Sequence, residues 1–259
     1  MSRSRWIALV ALSEPALPDA DALLAELARH EPDTSSRLSS QTDGSINLAW
    51  HDAEDASANI TLVDRPIPWS QLEGPCATAW YWPEAESALK GHPAHLFVTL
   101  YDESTKPIDQ ATRLTRLLCA LGATSPAVGF LWGASGAVHQ PTAFAQHAAE
   151  STSENLPLNL WIDFRTFELD GQPGYGLFTT GLDALGHREI ETPHYAGDPQ
   201  LLVGGVYNVT HYLLEKGAQL KEGEVIGLPD GSEVTVYEGQ SMIDPEQEAV
   251  RLEFGAGQG

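Results

Sequence analysis

Cysteine is scarce in this sequence, which excludes a fold held together by disulfides. The chain has 259 residues and only two cysteines, Cys76 and Cys119. Domains that depend on a disulfide framework are short, secreted and much richer in cysteine. The cysteine content therefore predicts reduced thiols and a protein of the cytoplasm.

Basic residues are also scarce, and this argues against two classes of partner. Lysine and arginine number 14 against 36 aspartate and glutamate residues, which gives a net charge of −22. Such a field repels nucleic-acid phosphates and anionic lipids, so we expect neither nucleic acid nor a membrane as a partner. It favours a basic protein partner, although a purely solubilising role explains the charge equally well.

Long apolar runs are missing, so no segment is predicted to span a membrane. The run at residues 6–12 has seven residues and leads into Ser13, Glu14 and Pro15. A secretory signal peptide has an apolar core that leads into a cleavage site of small residues, which this start lacks. We therefore expect residues 6–12 to form a first β-strand.

Signatures of cofactor and metal binding are absent as well. The sequence has neither a Walker pattern nor a G-x-G-x-x-G loop after a strand, which are common phosphate-binding loops. His92 and His95 enter a predicted strand three residues apart, so they should point to opposite faces and suit no shared metal. Residues 133–137 resemble a nucleophile elbow without its final glycine. We expect no metal, no cofactor and a plain surface loop at 133–137.

The spacing of apolar residues predicts an α+β fold with a mixed, largely antiparallel sheet and several packed helices. The predicted strands cover residues 6–12, 34–41, 45–51, 58–63, 94–101, 127–132, 158–169, 175–179 and 249–254. Predicted helices begin at Pro18–Asp19, Pro83, Pro107, Pro141 and Asp198, and they end before Pro32 and at Gly91, Gly122, Glu150 and Lys216.

Three further patterns concern the arrangement of these elements. The strand–helix–strand order over residues 94–132 predicts a right-handed crossover and a locally parallel pair. Glycine turns at Gly223, Gly231 and Gly239 predict a small C-terminal β-meander. We expect a single domain over residues 1–259; its one linker-like patch is polar and short, so any boundary would fall near 151–156.

The stretch 66–83 holds four prolines, three tryptophans and Cys76 within eighteen residues. Proline fixes φ and removes a backbone donor, so we expect a rigid, non-repetitive connection. Its aromatic residues either fill a core or form a recognition surface, and we rank the core role first. The binding candidates are Trp69, Glu73, Trp80, Tyr81 and Trp82.

Cys76 is the weak candidate for catalysis. A nucleophilic cysteine needs a lowered pKa, supplied by a helix N-terminus or a nearby histidine. His92 and His95 are the histidines that would have to approach it in the fold. The alternative is a buried structural thiol, because free cysteine is among the most often buried residue types.

Four stretches resemble a bacterial family when they are taken together. They are residues 66–85, 126–139, 158–165 and 177–186. The sequence is similar to the bacterial domain-of-unknown-function family numbered 4261, across about residues 6–254 and most strongly over 60–190. The resemblance implies a cytoplasmic role and raises a link with toxin–immunity or secretion loci. It carries over no catalytic residue, because the family is uncharacterised.

These observations lead to three functional hypotheses. The leading one is a non-enzymatic cytoplasmic binding protein, an acidic inhibitor of immunity-protein type that covers a basic effector or toxin. The second is a cysteine-dependent hydrolase or transferase centred on Cys76. The third is an adaptor or structural subunit.

Overall fold

The structure is a computed structural model that describes residues 5–31, 35–51, 56–102, 106–152 and 154–255. Over these ranges the chain is an α+β protein with seven α-helices and two β-sheets. Pro32 and Thr34, where the sequence ends a predicted helix and starts a predicted strand, lie outside the described residues. Residue contacts divide the chain into two compact units, 1–151 and 152–259.

The first unit combines helices with a seven-stranded sheet. Its described helices are α1 (Ala20–His30), α2 (Trp69–Thr78), α3 (Ala85–Leu89), α4 (Pro107–Thr124) and α5 (Pro141–Ala149). Its described strands are β1 (Arg5–Leu12), β2 (Ser36–Thr42), β3 (Ser45–Trp50), β4 (Ser57–Val63), β5 (Ala94–Tyr101), β6 (Ala127–Trp132) and β7 (Val138–His139).

The first sheet is antiparallel, in the order β2-β3-β4-β5-β1-β6-β7. β5 is its middle strand, which confirms the prediction of a central strand at 94–101. The strands at 94–101 and 127–132 run in the same direction, as predicted, because β1 pairs antiparallel with both. They do not pair with each other, because β1 lies between them. β1 takes this place because it is apolar and almost wholly buried, so it needs a neighbour on each side.

Helices pack on both faces of this sheet. On one face, Trp6 of β1 donates its Nε1–H to Gln110 Oε1 of α4 over 2.7 Å. On the opposite face, Leu9 packs in one cluster with Leu72 of α2 and Leu89 of α3. Burial on both faces explains why β1 is a continuous apolar run rather than an alternating one.

α4 is fixed to the sheet by buried charged groups. Arg113 Nε lies 3.3 Å from Asp102 Oδ2, and the guanidinium lies 5.1 Å from the centroid of the Trp50 ring. Trp50 in turn donates its Nε1–H to Glu31 Oε2 over 2.7 Å. These contacts join α4 to the ends of β5, β3 and α1.

Residues 66–83 contain a helix, which corrects the prediction of a non-repetitive connection. α2 extends over ten residues with Pro75 inside it, and a turn at 79–84 leads into α3. An internal proline costs a helix about 3 kcal/mol. Here the cost is offset by burial of Leu72, which is inaccessible to solvent.

The second unit packs one long helix against a six-stranded sheet. Its described helices are α6 (Leu158–Trp161) and α7 (Pro199–Lys216), with a 3₁₀ turn at Asp183–Leu185. Its described strands are β8 (Asp163–Glu168), β9 (Tyr175–Thr180), β10 (Ile190–Tyr195), β11 (Val225–Gly227), β12 (Glu233–Gln240) and β13 (Glu248–Phe254).

The second sheet has the order β11-β12-β13-β10-β9-β8 and is mixed, because β10 and β13 run parallel. β11, β12 and β13 form the predicted antiparallel meander. Gly239 does not belong to a turn of this meander, contrary to the prediction. It lies within β12, where a Cβ would come 3.3 Å from Arg251 Cζ, so a glycine leaves room for the arginine.

The predicted strand at 158–169 is half correct. Its second half is β8, but its first half is the helical turn α6. Leu158, Leu160 and Trp161 are all buried. Leu158 and Leu160 follow the two-residue period of a strand, which explains the wrong prediction. The adjacent Trp161 is buried as well, so apolar contacts surround this segment rather than cover one face of it.

Candidate recognition surface

The segment between β4 and β5, residues 64–93, packs against the first sheet through buried apolar side chains. Trp82 is 7% exposed and packs in the cluster that contains Leu72 and Leu89. Gly129 of β6 makes this packing feasible, because a Cβ there would lie 2.6 Å from Leu89 Cδ2 and 3.0 Å from Trp82 Cη2. The missing side chain at Gly129 therefore leaves the space that Leu89 and Trp82 occupy.

Two buried histidines hold the chain that leads into α2. His92 Nε2 accepts a hydrogen bond from the Ile67 N–H over 2.7 Å, and His92 Nδ1 contacts the Leu89 carbonyl oxygen. His95 Nδ1 bonds the Arg65 carbonyl oxygen over 2.8 Å. Burial lowers the pKa of His95, and the bond to Arg65 opposes this in part. Both histidines thus have structural partners on the main chain.

The turn at 79–84 sends its aromatic side chains in different directions. Main-chain bonds from Trp80 N–H to Thr78 O (2.9 Å) and from Trp82 N–H to Ala79 O (2.8 Å) close the turn. Trp82 points into the core, whereas Trp80 is 74% exposed and Tyr81 is 42% exposed. We call the exposed part formed by Trp80 and Tyr81 the Trp80–Tyr81 surface.

Tyr81 connects this surface to the edge of the first sheet. Its hydroxyl donates a hydrogen bond to the Val138 carbonyl oxygen over 3.1 Å. Its ring stacks on His139, with centroids 6.0 Å apart and an interplanar angle of 22°. Trp80 meets Tyr81 edge-on, with centroids 5.8 Å apart. The exposed indole is therefore supported by a ring that is itself fixed.

Behind Tyr81, ring contacts continue into the core. His139 lies 5.4 Å from Phe144 of α5, which lies 6.4 Å from Trp132. Trp132 lies 5.9 Å from Trp6 of β1. Aromatic side chains have few rotatable bonds, so a continuous set of packed rings restricts the motion of the exposed pair.

The other two predicted binding residues lie on α2. Trp69 is half-buried against the core cluster, and Lys90 Nζ lies 5.2 Å from its ring centroid. Glu73 is exposed. Of the five candidates, the structure brings Trp80 and Tyr81 into contact at the surface and places Trp69 and Trp82 against the core.

Acidic side chains follow the exposed aromatic pair along the chain. Glu84 and Glu86 are both exposed at the start of α3. Glu86 Oε1 accepts a bond from Lys90 Nζ over 2.9 Å. The segment therefore combines an exposed indole with negative charge, an arrangement that suits a cationic group.

The environment of Cys76 does not activate its thiol. Cys76 lies on α2 and packs against the core cluster. Burial, and secondarily the Glu86 carboxylate, raise the pKa of the Cys76 thiol above its ordinary value. In the described part of the chain no histidine bonds it; His92 and His95 bond main-chain groups instead. A nucleophile at neutral pH needs the opposite shift.

The loop at 133–137 offers no exposed hydroxyl. Ser135 is buried, and its Oγ accepts a hydrogen bond from the Ala137 N–H over 3.3 Å. A nucleophile elbow presents its serine to substrate. Ser135 instead takes part in the turn between β6 and β7.

Two further findings on the described residues bear on the site. Among the described residues, no group of three or more His, Cys, Asp or Glu side chains could hold a metal ion. No helix within the described ranges combines the length and the hydropathy needed to cross a membrane.

Val138 and His139 are site residues that the sequence alone did not identify. They lie 57 and 58 positions after Tyr81. Their contact with Tyr81 is set by the pairing of β6 with β7, which brings the sheet edge to the turn. The local sequence around them carries no signal for this contact.

Comparison with known protein families gives a match in the second half of the chain. The family model described as domain of unknown function (DUF4261) matches residues 178–253. This confirms the resemblance to the family within the second unit, from β9 to β13; the match does not extend over residues 6–177, where the sequence resemblance was also placed. The description gives no reaction or ligand, so it assigns no role to any residue. No curated protein and no solved structure matches the chain.

Proposed function

We propose that this chain is a non-enzymatic binding protein that covers a basic protein partner through the Trp80–Tyr81 surface. In the cytoplasm it would act as an inhibitor of immunity-protein type on a basic effector or toxin. The observation that carries this proposal is the 74% exposure of Trp80 beside Tyr81, a residue held in place by a hydrogen bond and a ring contact.

An exposed tryptophan on a fixed support is the kind of residue that dominates binding energies. Tryptophan and tyrosine are enriched among the few interface residues whose truncation costs most affinity. Because Tyr81 is fixed by Val138 and His139, little side-chain freedom remains to be lost when a partner binds. The surface is therefore suited to recognition before any partner arrives.

The charge of the protein supports a basic partner. Residues 1–151 contain 18 acidic and 9 basic residues, and the whole chain carries −22. Opposite charge on a partner speeds its encounter with this surface and disfavours acidic competitors. Glu73 and Glu84, both exposed on the same segment as Trp80, would lie near such a partner.

Affinity capture from lysate tests the proposal if a Trp80→Ala variant is compared with the native chain at low and high salt. We expect a basic protein to be retained by the native chain, to be lost with Trp80→Ala and to be released as salt rises. Leu201→Ala is the matched control, because Leu201 is 59% exposed on α7 of the second unit.

The control variant should retain the same basic protein as the native chain. Recovery of that protein by Trp80→Ala at native level would contradict the proposed surface. Failure of the native chain to retain any basic protein would contradict the proposed function itself.

A further inference from the structure

We infer that the Trp80–Tyr81 surface receives an arginine side chain of the partner, which stacks on the indole of Trp80. This inference rests on the proposed function and specifies the chemistry of its contact. It starts from the shape of the surface: the two rings meet at an interplanar angle of 82°, so they form a corner rather than a stack. With Trp80 74% exposed, a face of its indole is open to a partner.

A cation is the group that such a face attracts. The face of an indole carries negative electrostatic potential, and tryptophan is the best aromatic acceptor for cations. The chain uses this contact elsewhere, with Lys90 Nζ 5.2 Å from the Trp69 centroid and Arg113 Cζ 5.1 Å from the Trp50 centroid. Over the ranges that the structure describes, no cation of the chain itself lies over Trp80.

Arginine fits the surface better than lysine for two reasons. Its planar guanidinium is weakly hydrated and stacks on aromatic rings, whereas an ammonium group holds its water more strongly. Its N–H groups can also reach a carboxylate while the plane stacks. We assign that carboxylate to Glu84, which is exposed four residues after Trp80, in the turn closed by the bond from Ala85 N–H to Trp82 O (3.0 Å).

A second copy of this chain is a poorer occupant of the surface. Two copies would each carry −22, so their approach is opposed by long-range repulsion. The same acidic side chains that disfavour a second copy favour a basic protein. The partner is therefore a different, basic chain with an exposed arginine.

The inference can be tested with capped hexa-arginine and hexalysine peptides added to the 259-residue chain at physiological salt. The readout is the indole N–H resonance of Trp80, identified as the signal that Trp80→Phe removes. We expect hexa-arginine to shift this resonance and to bind Trp80→Ala about two- to five-fold more weakly than the native chain. Glu84→Gln should weaken binding further, and Leu201→Ala should leave it unchanged.

The remaining indole resonances show whether Trp80→Ala keeps the native fold, which its exposure predicts. An unshifted Trp80 resonance, or equal affinity of the native chain and Trp80→Ala, would overturn the inference. Equal shifts and affinities for hexalysine would overturn the choice of arginine. If these tests fail while affinity capture still depends on Trp80, the proposed function stands and only the arginine contact is wrong.

Discussion

The hydroxyl of Tyr81 donates to the Val138 carbonyl oxygen over 3.1 Å while its ring stacks on His139. These two contacts join an exposed turn to the last strand of the first sheet. Tyr81 is thus both a part of the recognition surface and the means by which that surface is fixed. We expect the loss of either contact to lower both the free energy of unfolding and the affinity for a partner.

Tyr81→Phe separates the two roles, because it removes the hydroxyl and keeps the ring. We expect the free energy of unfolding to fall by about 0.5–1.5 kcal/mol, the usual net value of one hydrogen bond. Urea unfolding followed by circular dichroism measures it. Tyr212→Phe is the control: Tyr212 is also 42% exposed, and its hydroxyl makes no hydrogen bond in the described part of the chain. Equal effects of the two variants would refute a role for the Val138 bond.

Gly129→Ala tests the packing beneath the turn. The added Cβ would lie 2.6 Å from Leu89 Cδ2 and 3.0 Å from Trp82, so neighbouring side chains must shift. We expect a loss of about 1–3 kcal/mol in thermal or urea unfolding, as in other overpacked cores. Gly204→Ala is the opposite case, since Gly204 is exposed within α7, nothing lies within 4 Å of its Cβ and the helix should gain up to about 1 kcal/mol. A Gly129→Ala protein as stable as the native chain would contradict this packing.

Much of the fold follows from local signals in the sequence. α7 begins after Asp198, whose side chain accepts from Gln200 N–H over 2.8 Å, and ends at Gly217 with φ +59°. Both ends were predicted correctly, because an N-cap and a left-handed C-cap depend on residues within one turn. α6 was missed because Leu158 and Leu160 satisfy the two-residue period of a strand.

The candidate residues could be chosen from composition, but their geometry could not be predicted. Proline and aromatic content singled out residues 66–83, the stretch that contains all five candidates. Which tryptophan is buried depends on Leu89 and Gly129, which approach Trp82 only in the folded sheet. The support of Tyr81 by His139 likewise depends on strand order, as does the place of β1 between β5 and β6. Such non-local pairings leave no mark on the local pattern of residues.

Removal of one partner of the buried Arg113–Asp102 pair should destabilise the protein strongly. Arg113→Met leaves the Asp102 carboxylate buried without this ion pair and removes the cation over Trp50. We expect a loss of about 3–5 kcal/mol in urea unfolding. The double variant Arg113→Met/Asp102→Asn should recover part of that loss, because it removes the buried carboxylate charge together with the guanidinium charge. A double variant less stable than Arg113→Met would show that the pair does not act through charge.

Thiol reactivity distinguishes a structural Cys76 from a catalytic one. Because the pKa of Cys76 is raised, its reactive thiolate is scarcer at neutral pH than that of an ordinary cysteine. We expect alkylation by iodoacetamide at pH 7 to be slower than for a free thiol, and to accelerate about tenfold per pH unit until the raised pKa is passed.

Cys119 is the internal control for that measurement. It is buried on α4, and burial, with a smaller contribution from Glu26, raises its pKa to about 12. Cys119 should therefore react more slowly than Cys76 in the native protein, and both should react alike in denaturant. Mass spectrometry of the two tryptic peptides follows each rate, with Cys76→Ser to assign the signals. If Cys76 reacts near pH 7 faster than a free thiol, its pKa is lowered rather than raised, and a cysteine-dependent enzyme becomes the better hypothesis, since only a thiolate serves as nucleophile.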